Sequence, residues 1–306
     1  MDYPYANGTI KALETKIQDR SKLLVLSKYD KAEFVKVLLA MNYGTEGTTV
    51  EDIINSELKK VKNTIDELTP NKEDTDLFYL TTDAQNIKIL YKIKQFNLDK
   101  FELLSNDGSM IKESLVEAII DNNYENLTKK EKKLIERLDK VLEEIDSPKK
   151  LSAVIDNEIY RFAISKTKNK VLKKYLTIKI DVTNLLSLLR AENLNWKLDS
   201  YYEMFIEGGT ISKEVFASIY KEDIAKKAKL LSEYYEEKIS KLLNNNLSFN
   251  RIEIIFNRFI LEQMEIDKFE PLDIGPMIYY YLLKQAEAQN IRILYSAEKP
   301  ELKDLI

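Results

Sequence analysis

Carboxylate and amide side chains at a fixed spacing are the feature of this sequence best able to carry chemistry. An acid stands three residues before an asparagine at three places, namely Asp83 and Asn86, Asp181 and Asn184, and Glu287 and Asn290. On a helix, residues three apart lie on nearly the same face. Such a pair can ligate a hard metal ion or a substrate, or it can fix the register of two packed helices through buried hydrogen bonds.

The structural interpretation of these pairs is favoured over the binding-site interpretation. One acid per place is too few to coordinate a hard cation. The same residue types at all three places indicate shared architecture. We therefore predict structural marks, and a chain without a catalytic, cofactor-binding or metal site of its own. In the last two copies, Arg161 or Arg258 is a hypothetical partner for the acid, since a buried acid needs a partner.

The absence of two residue types excludes many other chemistries. The sequence contains no cysteine and no histidine, which excludes disulfides, thiol nucleophiles, zinc–thiolate sites, Ser-His-Asp triads and imidazole bases. The carboxylate pairs Glu143–Glu144 and Glu236–Glu237 lie in highly charged stretches and are interpreted as solvated helix surface. The seven glycines are scattered, so no phosphate-binding loop is formed.

The charge balance and hydropathy indicate an ordinary cytoplasmic protein. Lysine and arginine number 47 against 51 acids, for a net charge of −4, which is not the field of a nucleic-acid-binding protein. The longest apolar run, 276–283, is far shorter than the ~20 residues of a membrane-spanning helix, so no direct membrane insertion is expected. Without imidazole, we expect interfaces that change little between about pH 6 and about pH 8.

Helical spacing dominates the sequence from end to end. Asp30 and Thr128 each precede an acid by three residues ahead of an apolar stripe, which predicts a capped helix start at both places. Pro148 and Pro276 stand where a first helical turn tolerates proline. No stretch alternates strictly between polar and apolar residues. The predicted fold class is all-α.

The neighbourhoods of the three asparagines also resemble one another. They read Asp-Ala-Gln-Asn-Ile-Lys-Ile-Leu at 83–90, Asp-Val-Thr-Asn-Leu-Leu-Ser-Leu at 181–188 and Glu-Ala-Gln-Asn-Ile-Arg-Ile-Leu at 287–294. The asparagines stand 98 and 106 positions apart. We therefore predict three helical repeats of about a hundred residues, over 1–105, 106–208 and 209–306.

Two turns occupy equivalent places after the first two marks. One contains Asp107 and Gly108, and the other contains Gly208 and Gly209. Both lead into a similar helix start, so we predict that they form one common rim that contacts a partner.

The aromatic residues have simpler interpretations. Tyr279–Tyr281 could form a stacking platform, but a tyrosine run on a helix is expected to spread around it, partly in the core and partly exposed. Trp196, the only tryptophan, stands at a predicted helix end and is interpreted as a packing anchor.

Three segments together resemble a known family. The N-terminal segment 3–14 reads Tyr-Pro-Tyr-Ala-Asn-Gly-Thr-Ile-Lys-Ala-Leu-Glu. The second segment is Asp-x-x-Asn-Leu-x-x-Leu-Leu-Arg at 181–190. The third, 275–292, contains Gly-Pro-x-Ile, Tyr-Leu-Leu-Lys and Glu-Ala-x-Asn-Ile-Arg. The chain resembles the C subunit of bacterial and archaeal V-type (A/V-type) ATPases, which is similar to the d subunit of eukaryotic V-ATPases.

This resemblance implies a fold and a function that the residue pattern alone does not give. It implies a funnel of three helical bundles with pseudo-threefold symmetry. It implies a non-catalytic central-stalk coupler that links the D and F shaft subunits to the membrane rotor ring of K/c-type subunits. Such a coupler transmits torque for ATP-driven Na⁺ or H⁺ transport, or for ATP synthesis, at the cytoplasmic face of the membrane. The alternative is a free-standing helical scaffold that is attached to no rotor.

Overall fold

The computed structural model describes residues 2–105, 108–240, 243 and 249–306, and most of them are helical. Those residues form fourteen α-helices and no strand, so the predicted all-α class is confirmed. In chain order the helices are α1 (Tyr3–Glu14), α2 (Arg20–Leu24), α3 (Lys31–Ala40), α4 (Val50–Leu68), α5 (Lys72–Phe96), α6 (Lys112–Ile120), α7 (Lys129–Leu142), α8 (Pro148–Lys166), α9 (Lys170–Asn193), α10 (Leu198–Tyr202), α11 (Lys213–Ile219), α12 (Ile224–Ser240), α13 (Phe249–Met264) and α14 (Gly275–Ser296).

Side-chain caps begin the helices at the two places that the sequence predicts. The carboxylate of Asp30 accepts the backbone N–H groups of Ala32 and Glu33, at 2.9 and 2.8 Å, where α3 begins. Thr128 and Glu131 exchange hydrogen bonds with each other's backbone N–H where α7 begins. These contacts satisfy N–H groups that have no partner within a helix, and so they fix where each helix starts.

A tight turn separates α3 from α4. Asn42 and Gly44 adopt left-handed backbone conformations, with φ of 58° and 73°. A Cβ on Gly44 would stand 2.7 Å from Cγ2 of Ile53, so both the backbone and the available space require glycine there. Helix α4 follows the turn and packs against α14.

The contacts divide the chain into two compact units. Unit 1 comprises Met1–Lys72 and Asn244–Ile306, and unit 2 comprises Glu73–Leu243. The predicted repeat ranges 1–105, 106–208 and 209–306 are a different division, and they stay a prediction.

The long helix α14 forms the centre of unit 1. It contacts α1, α2, α4 and α13. Phe34 and Tyr295 meet edge to face, with their ring centroids 5.3 Å apart. The buried core around α14 consists of Leu23, Leu26, Phe34, Leu38, Tyr43, Val50, Ile53, Ile54, Leu58, Ala288, Ile291, Leu294 and Leu305. Burial of this apolar surface is the main stabilising contribution to the unit.

Unit 2 is organised around α5, α8 and α9. Helix α8 packs against both α7 and α9. Phe78 of α5 and Tyr175 of α9 place their ring centroids 5.0 Å apart. The hydroxyl of Tyr91 on α5 donates to Asp139 of α7 at 2.9 Å. Packed aromatic rings and a satisfied buried hydroxyl therefore fix α5 against its neighbours.

The two aromatic predictions had different outcomes. Tyr279, Tyr280 and Tyr281 are all buried, at 8, 5 and 2% exposure, so the expected exposed part of this run was wrong. They lie in the second turn of α14, which packs against α1, α2, α4 and α13. Trp196 follows the end of α9 as predicted, and the ammonium of Lys149 lies 3.1 Å from its ring centroid.

Over the described residues, no helix is both long enough and apolar enough to cross a membrane.

Candidate functional site

The six marked residues lie on three long helices, α5, α9 and α14, which we call the marked helices. Every one of them is at most 3% exposed. Buried polar groups carry a desolvation cost unless they are hydrogen-bonded. Their partners therefore show what the marks do.

Each marked asparagine exchanges two hydrogen bonds with the backbone of one distant residue. Asn86 donates to the carbonyl of Ser105 at 2.8 Å and accepts its N–H at 2.9 Å. Asn184 does the same with Ile206, at 2.8 and 2.9 Å. Asn290 does the same with Ile306, at 3.2 and 2.6 Å. Both ends of the side-chain amide are used each time, which fixes the segment after each marked helix.

The marked acids of α5 and α9 hold the next few residues of the same segments. Asp83 accepts the N–H of Ser109 at 2.9 Å and that of Met110 at 3.1 Å. Asp181 accepts the N–H of Thr210 at 2.9 Å and that of Ile211 at 3.1 Å. Together with the asparagine, each acid fixes the chain up to the start of the following helix, α6 or α11.

Two of the predicted rim residues lie directly against these acids. A Cβ on Gly108 would stand 1.8 Å from Oδ1 of Asp83, and one on Gly209 would stand 2.1 Å from Oδ1 of Asp181. No L side chain fits these spaces without movement, because real Cβ contacts are longer. Gly208 adopts a φ of +100°, which also favours glycine. Asp107 lies outside the described residues, and the predicted partner contact of this rim stays a prediction.

The acid of the third mark is hydrogen-bonded to a segment from the other end of the chain. Oε1 of Glu287 accepts the N–H of Gln18 at 2.7 Å. Gln18 stands two residues before the first residue of α2, as Met110 does before α6 and Ile211 does before α11. The acid therefore holds the segment before a helix in all three cases, although the third segment is 269 residues away in sequence.

Glu287 also belongs to a buried ion cluster that the sequence analysis missed. The ammonium of Lys284 lies 2.6 Å from Oε2 of Glu287 and 2.7 Å from Oε1 of Glu57 on α4. All three residues are buried. The spacing of Lys284 and Glu287, three residues apart on one helix, was the available signal. Nothing in the sequence pointed to Glu57.

The proposed arginine partners of the marked acids were wrong. Arg161 is exposed and pairs with Glu158, one turn earlier on α8. Arg258 donates to the backbone carbonyl of Leu305. Backbone N–H groups and the hydroxyl of Tyr235, rather than guanidinium groups, satisfy Asp181. Lys284 supplies the positive charge beside Glu287.

Burial raises the pKa of all three marked acids. The pKa of Asp83 rises to about 6, because desolvation outweighs the hydrogen bonds from Ser109 and Met110. Burial also raises the pKa of Asp181, against the hydrogen bond that the hydroxyl of Tyr235 donates to it. The pKa of Glu287 is raised by burial and lowered by the ammonium of Lys284, with a net rise.

A cavity of about 110 Å³ borders the ion cluster of unit 1. Tyr43, Glu57, Lys284 and Glu287 form part of its wall. The carboxylate oxygens of Glu57 and Glu287 already accept hydrogen bonds from Lys284 and from the N–H groups of Gln18 and Gly44. In the described part of the chain, no group of three or more acids is placed to hold a metal ion.

The described residues therefore define a class of protein. It is an all-helical protein whose most regular polar arrangement holds chain segments against long helices. A family model described as "ATP synthase (C/AC39) subunit" matches residues 6–299. The chain belongs to this family.

Curated relatives of known name match nearly the whole chain. The C subunit of the A-type ATP synthase of Pyrococcus abyssi is 25% identical, over 99% of this chain and 90% of the relative. The C subunit of the A-type ATP synthase of Methanosarcina barkeri is also 25% identical, over 99% of this chain and 91% of the relative. The predicted resemblance to the C subunit of A/V-type ATPases is confirmed.

Proposed function

We propose that this chain is the non-catalytic central-stalk coupler of a rotary A/V-type ATPase. It links the D and F shaft subunits to the membrane rotor ring of K/c-type subunits. It transmits torque for ATP-driven Na⁺ or H⁺ transport, or in reverse for ATP synthesis. Its proposed location is the cytoplasmic face of the membrane, where the ring holds it without direct insertion.

The match to the ATP synthase (C/AC39) subunit family over residues 6–299 carries this proposal. The match covers both contact-defined units, and the two relatives described above are each aligned over at least 90% of their own length. The proposal therefore concerns the whole chain and not a single domain within it.

The order of the helices supports three repeats as part of the proposal. Four helices, the first short and the last the longest, follow one another three times, and each series ends in a marked helix. The three series are α2 to α5, α6 to α9, and α11 to α14. We propose that these series form the pseudo-threefold funnel, with one marked helix from each of 1–105, 106–208 and 209–306.

The hydrogen bonds of the marks suit a part that transmits force. Torque passes through a protein without loss only if neighbouring elements do not slip. Closely packed interiors resist compression. At the first two marks, an asparagine and an acid hold one connecting segment by four or more hydrogen bonds, and at the third they hold Ile306 and Gln18. These bonds oppose sliding of the held segments along the helix. No reactive group is needed for this work.

A free-standing helical scaffold is the second candidate function. It agrees with the fold and with the hydrogen-bonded segments. It gives no reason for a family match that spans nearly the whole chain. If a pull-down with this chain from native membranes recovers no rotary ATPase subunit, the scaffold function is favoured.

Reconstitution tests the proposal. The purified chain is mixed with a complex of the D and F shaft subunits, and separately with the detergent-solubilised ring, and each mixture is separated on a sizing column. An unrelated helical protein of similar mass is the control. The proposal predicts that the chain co-elutes with both partners and that the control co-elutes with neither. If the chain binds neither partner, the coupler proposal is wrong.

A further inference from the structure

Three lysines of unit 2 lie near one another, and one of them pairs with a carboxylate. We call Lys88 and Lys92 of α5 and Lys179 of α9 the basic cluster. Nζ of Lys88 lies 2.9 and 3.1 Å from the two carboxylate oxygens of Asp156 on α8. In the part of the chain that the structure describes, no other acid pairs with any of the three lysines.

The cluster is recessed rather than spread over the surface. The side chains of Lys88 and Asp156 are only 20 and 15% exposed. Lys92 and Lys179 are half-buried, and their neighbours in sequence, such as Tyr91 and Ile180, are buried. The three lysines therefore lie beside the buried core of unit 2.

The arrangement leaves an uncompensated positive charge. Lys88 pairs with Asp156, and among the described residues Lys92 and Lys179 form no ion pair of their own, so two positive charges remain in excess. Desolvation lowers the pKa of both Lys92 and Lys179, and the charge of Lys88 lowers them further. A half-buried charge is costly unless it is paired. In the isolated chain, this arrangement opposes folding.

We propose that the basic cluster is the docking surface for an acidic segment of the rotor shaft. This inference rests on the proposed function and names where unit 2 meets its partner. Two carboxylates of a narrow protruding element, such as the end of a helix, would complete the charge balance. Charge complementarity of this kind determines specificity and the rate of association.

The occupant is a protein carboxylate rather than a nucleic acid. A nucleic-acid surface needs an extended row of exposed cations that follows a phosphate backbone. The basic cluster offers three recessed cations, one of them paired with an acid, and the whole chain carries a net charge of −4. Recessed cations suit a few side chains at the end of a protruding element.

Neutralisation of the unpaired lysines tests the inference. The double variant Lys92→Gln/Lys179→Gln removes two half-buried charges. The control Lys170→Gln/Lys173→Gln removes two exposed charges from α9, so both proteins have the same net charge. Binding of the D–F shaft complex is measured at about 50 mM and about 200 mM salt. The inference predicts about tenfold weaker binding for the cluster variant at low salt, a shallower salt dependence, and no change for the control.

Stability and a charge-conserving variant separate docking from a structural role. If the lysines serve binding, the melting temperature of the isolated Lys92→Gln/Lys179→Gln protein stays the same or rises, because unpaired charges are removed. Lys179→Arg keeps the charge and should keep the binding. A cluster variant that binds the shaft as the wild type does at both salt concentrations overturns the inference, as does equal weakening by the control pair.

The outcomes also separate this inference from the proposed function. If the wild type binds the shaft and the cluster variant binds equally well, only the docking surface is wrong. If the wild type binds the ring but not the shaft, the docking surface is wrong and the ring contact remains. If the wild type binds neither partner, the proposed function is wrong as well. Chemical acetylation of the lysines gives a further test. If inorganic phosphate protects the cluster lysines from acetylation and the shaft complex does not, the inference is overturned.

Discussion

Gly209 lies so close to Asp181 that a Cβ built on it would stand 2.1 Å from Oδ1 of the carboxylate. Asp181 in turn accepts the N–H groups of Thr210 and Ile211, just before α11 begins. The same relationship joins Gly108 to Asp83 ahead of α6. The close approach of glycine to acid therefore allows the hydrogen bonds that hold each connecting segment.

Gly209→Ala should destabilise the protein by about 1–3 kcal/mol, since the new methyl group must push the segment off Asp181. Gly8→Ala is the matched control, because nothing lies within 4 Å of a Cβ at that position on α1. Alanine in a helix is favoured over glycine, so the control should stabilise by about 0.5–1 kcal/mol. Urea unfolding gives both values. Equal effects of the two changes would contradict this account of the glycine.

Asn184→Ala should cost about 2–4 kcal/mol of unfolding free energy. The change leaves the buried N–H and C=O of Ile206 without their partners, and each unsatisfied group carries its desolvation cost. Asn193→Ala is the control, because Asn193 is exposed at the end of the same helix. Its effect should stay within about 0.5 kcal/mol. Denaturation with two independent probes measures both, and a small effect at Asn184 would show that the paired hydrogen bonds contribute little.

Asp83 should make the protein more stable in weak acid. Its pKa is raised from 3.8 to about 6 in the folded state, so between those values the folded protein binds more protons than the unfolded chain. Its contribution is complete below the unfolded pKa and is lost as the pH rises through about 6. Relative to Asp83→Asn, wild-type stability should fall by up to about 3 kcal/mol between pH 4 and pH 7. Urea unfolding at several pH values measures the difference.

Asp52 should affect the pH dependence of stability in the opposite direction. Hydrogen bonds with Thr49 hold its pKa below the ordinary value, so its contribution is present at neutral pH and is lost on acidification. Asp52→Asn should therefore lose stability at neutral pH and little at low pH. If Asp83→Asn and Asp52→Asn showed the same pH dependence, the assignment of the raised pKa to burial would be wrong.

Lys284→Met should destabilise unit 1 by about 3–5 kcal/mol, because Glu57 and Glu287 would remain as buried, uncompensated acids. Part of this loss should return at low pH, where Glu287 takes up a proton. Lys60→Met is the control, since Lys60 lies 4.0 Å from Glu57 and its side chain is 57% exposed. Its effect should be at most about 0.5 kcal/mol. Thermal melts at acid and neutral pH make the comparison, and equal losses for both variants would contradict it.

The local features of the fold could be predicted from the sequence. The caps at Asp30 and Thr128 were found because the pattern of a helix start spans only four residues. The class of the fold followed from the helical spacing of apolar residues and from the absence of strict polar–apolar alternation. The marked residues were recognised because three copies of one short pattern are visible without a structure.

The partners of the marked residues could not be predicted in the same way. Gln18 and Glu287 meet across 269 positions, and no local pattern records such a contact. The choice of Arg258 as a partner assumed that a buried acid needs a cation, whereas backbone N–H groups satisfy two of the three acids. The raised pKa of Asp83 depends on burial and was also invisible. It supplies a carboxylate that titrates near pH 6 in a chain without histidine.

The most direct test of the coupler proposal is ATP-driven ion transport by the assembled enzyme in proteoliposomes, with and without this chain. The account predicts that the complex lacking the chain still hydrolyses ATP in its catalytic head but moves no ions, and that adding the purified chain restores transport. Full transport in the absence of the chain would contradict the account, since torque would then reach the ring by another route.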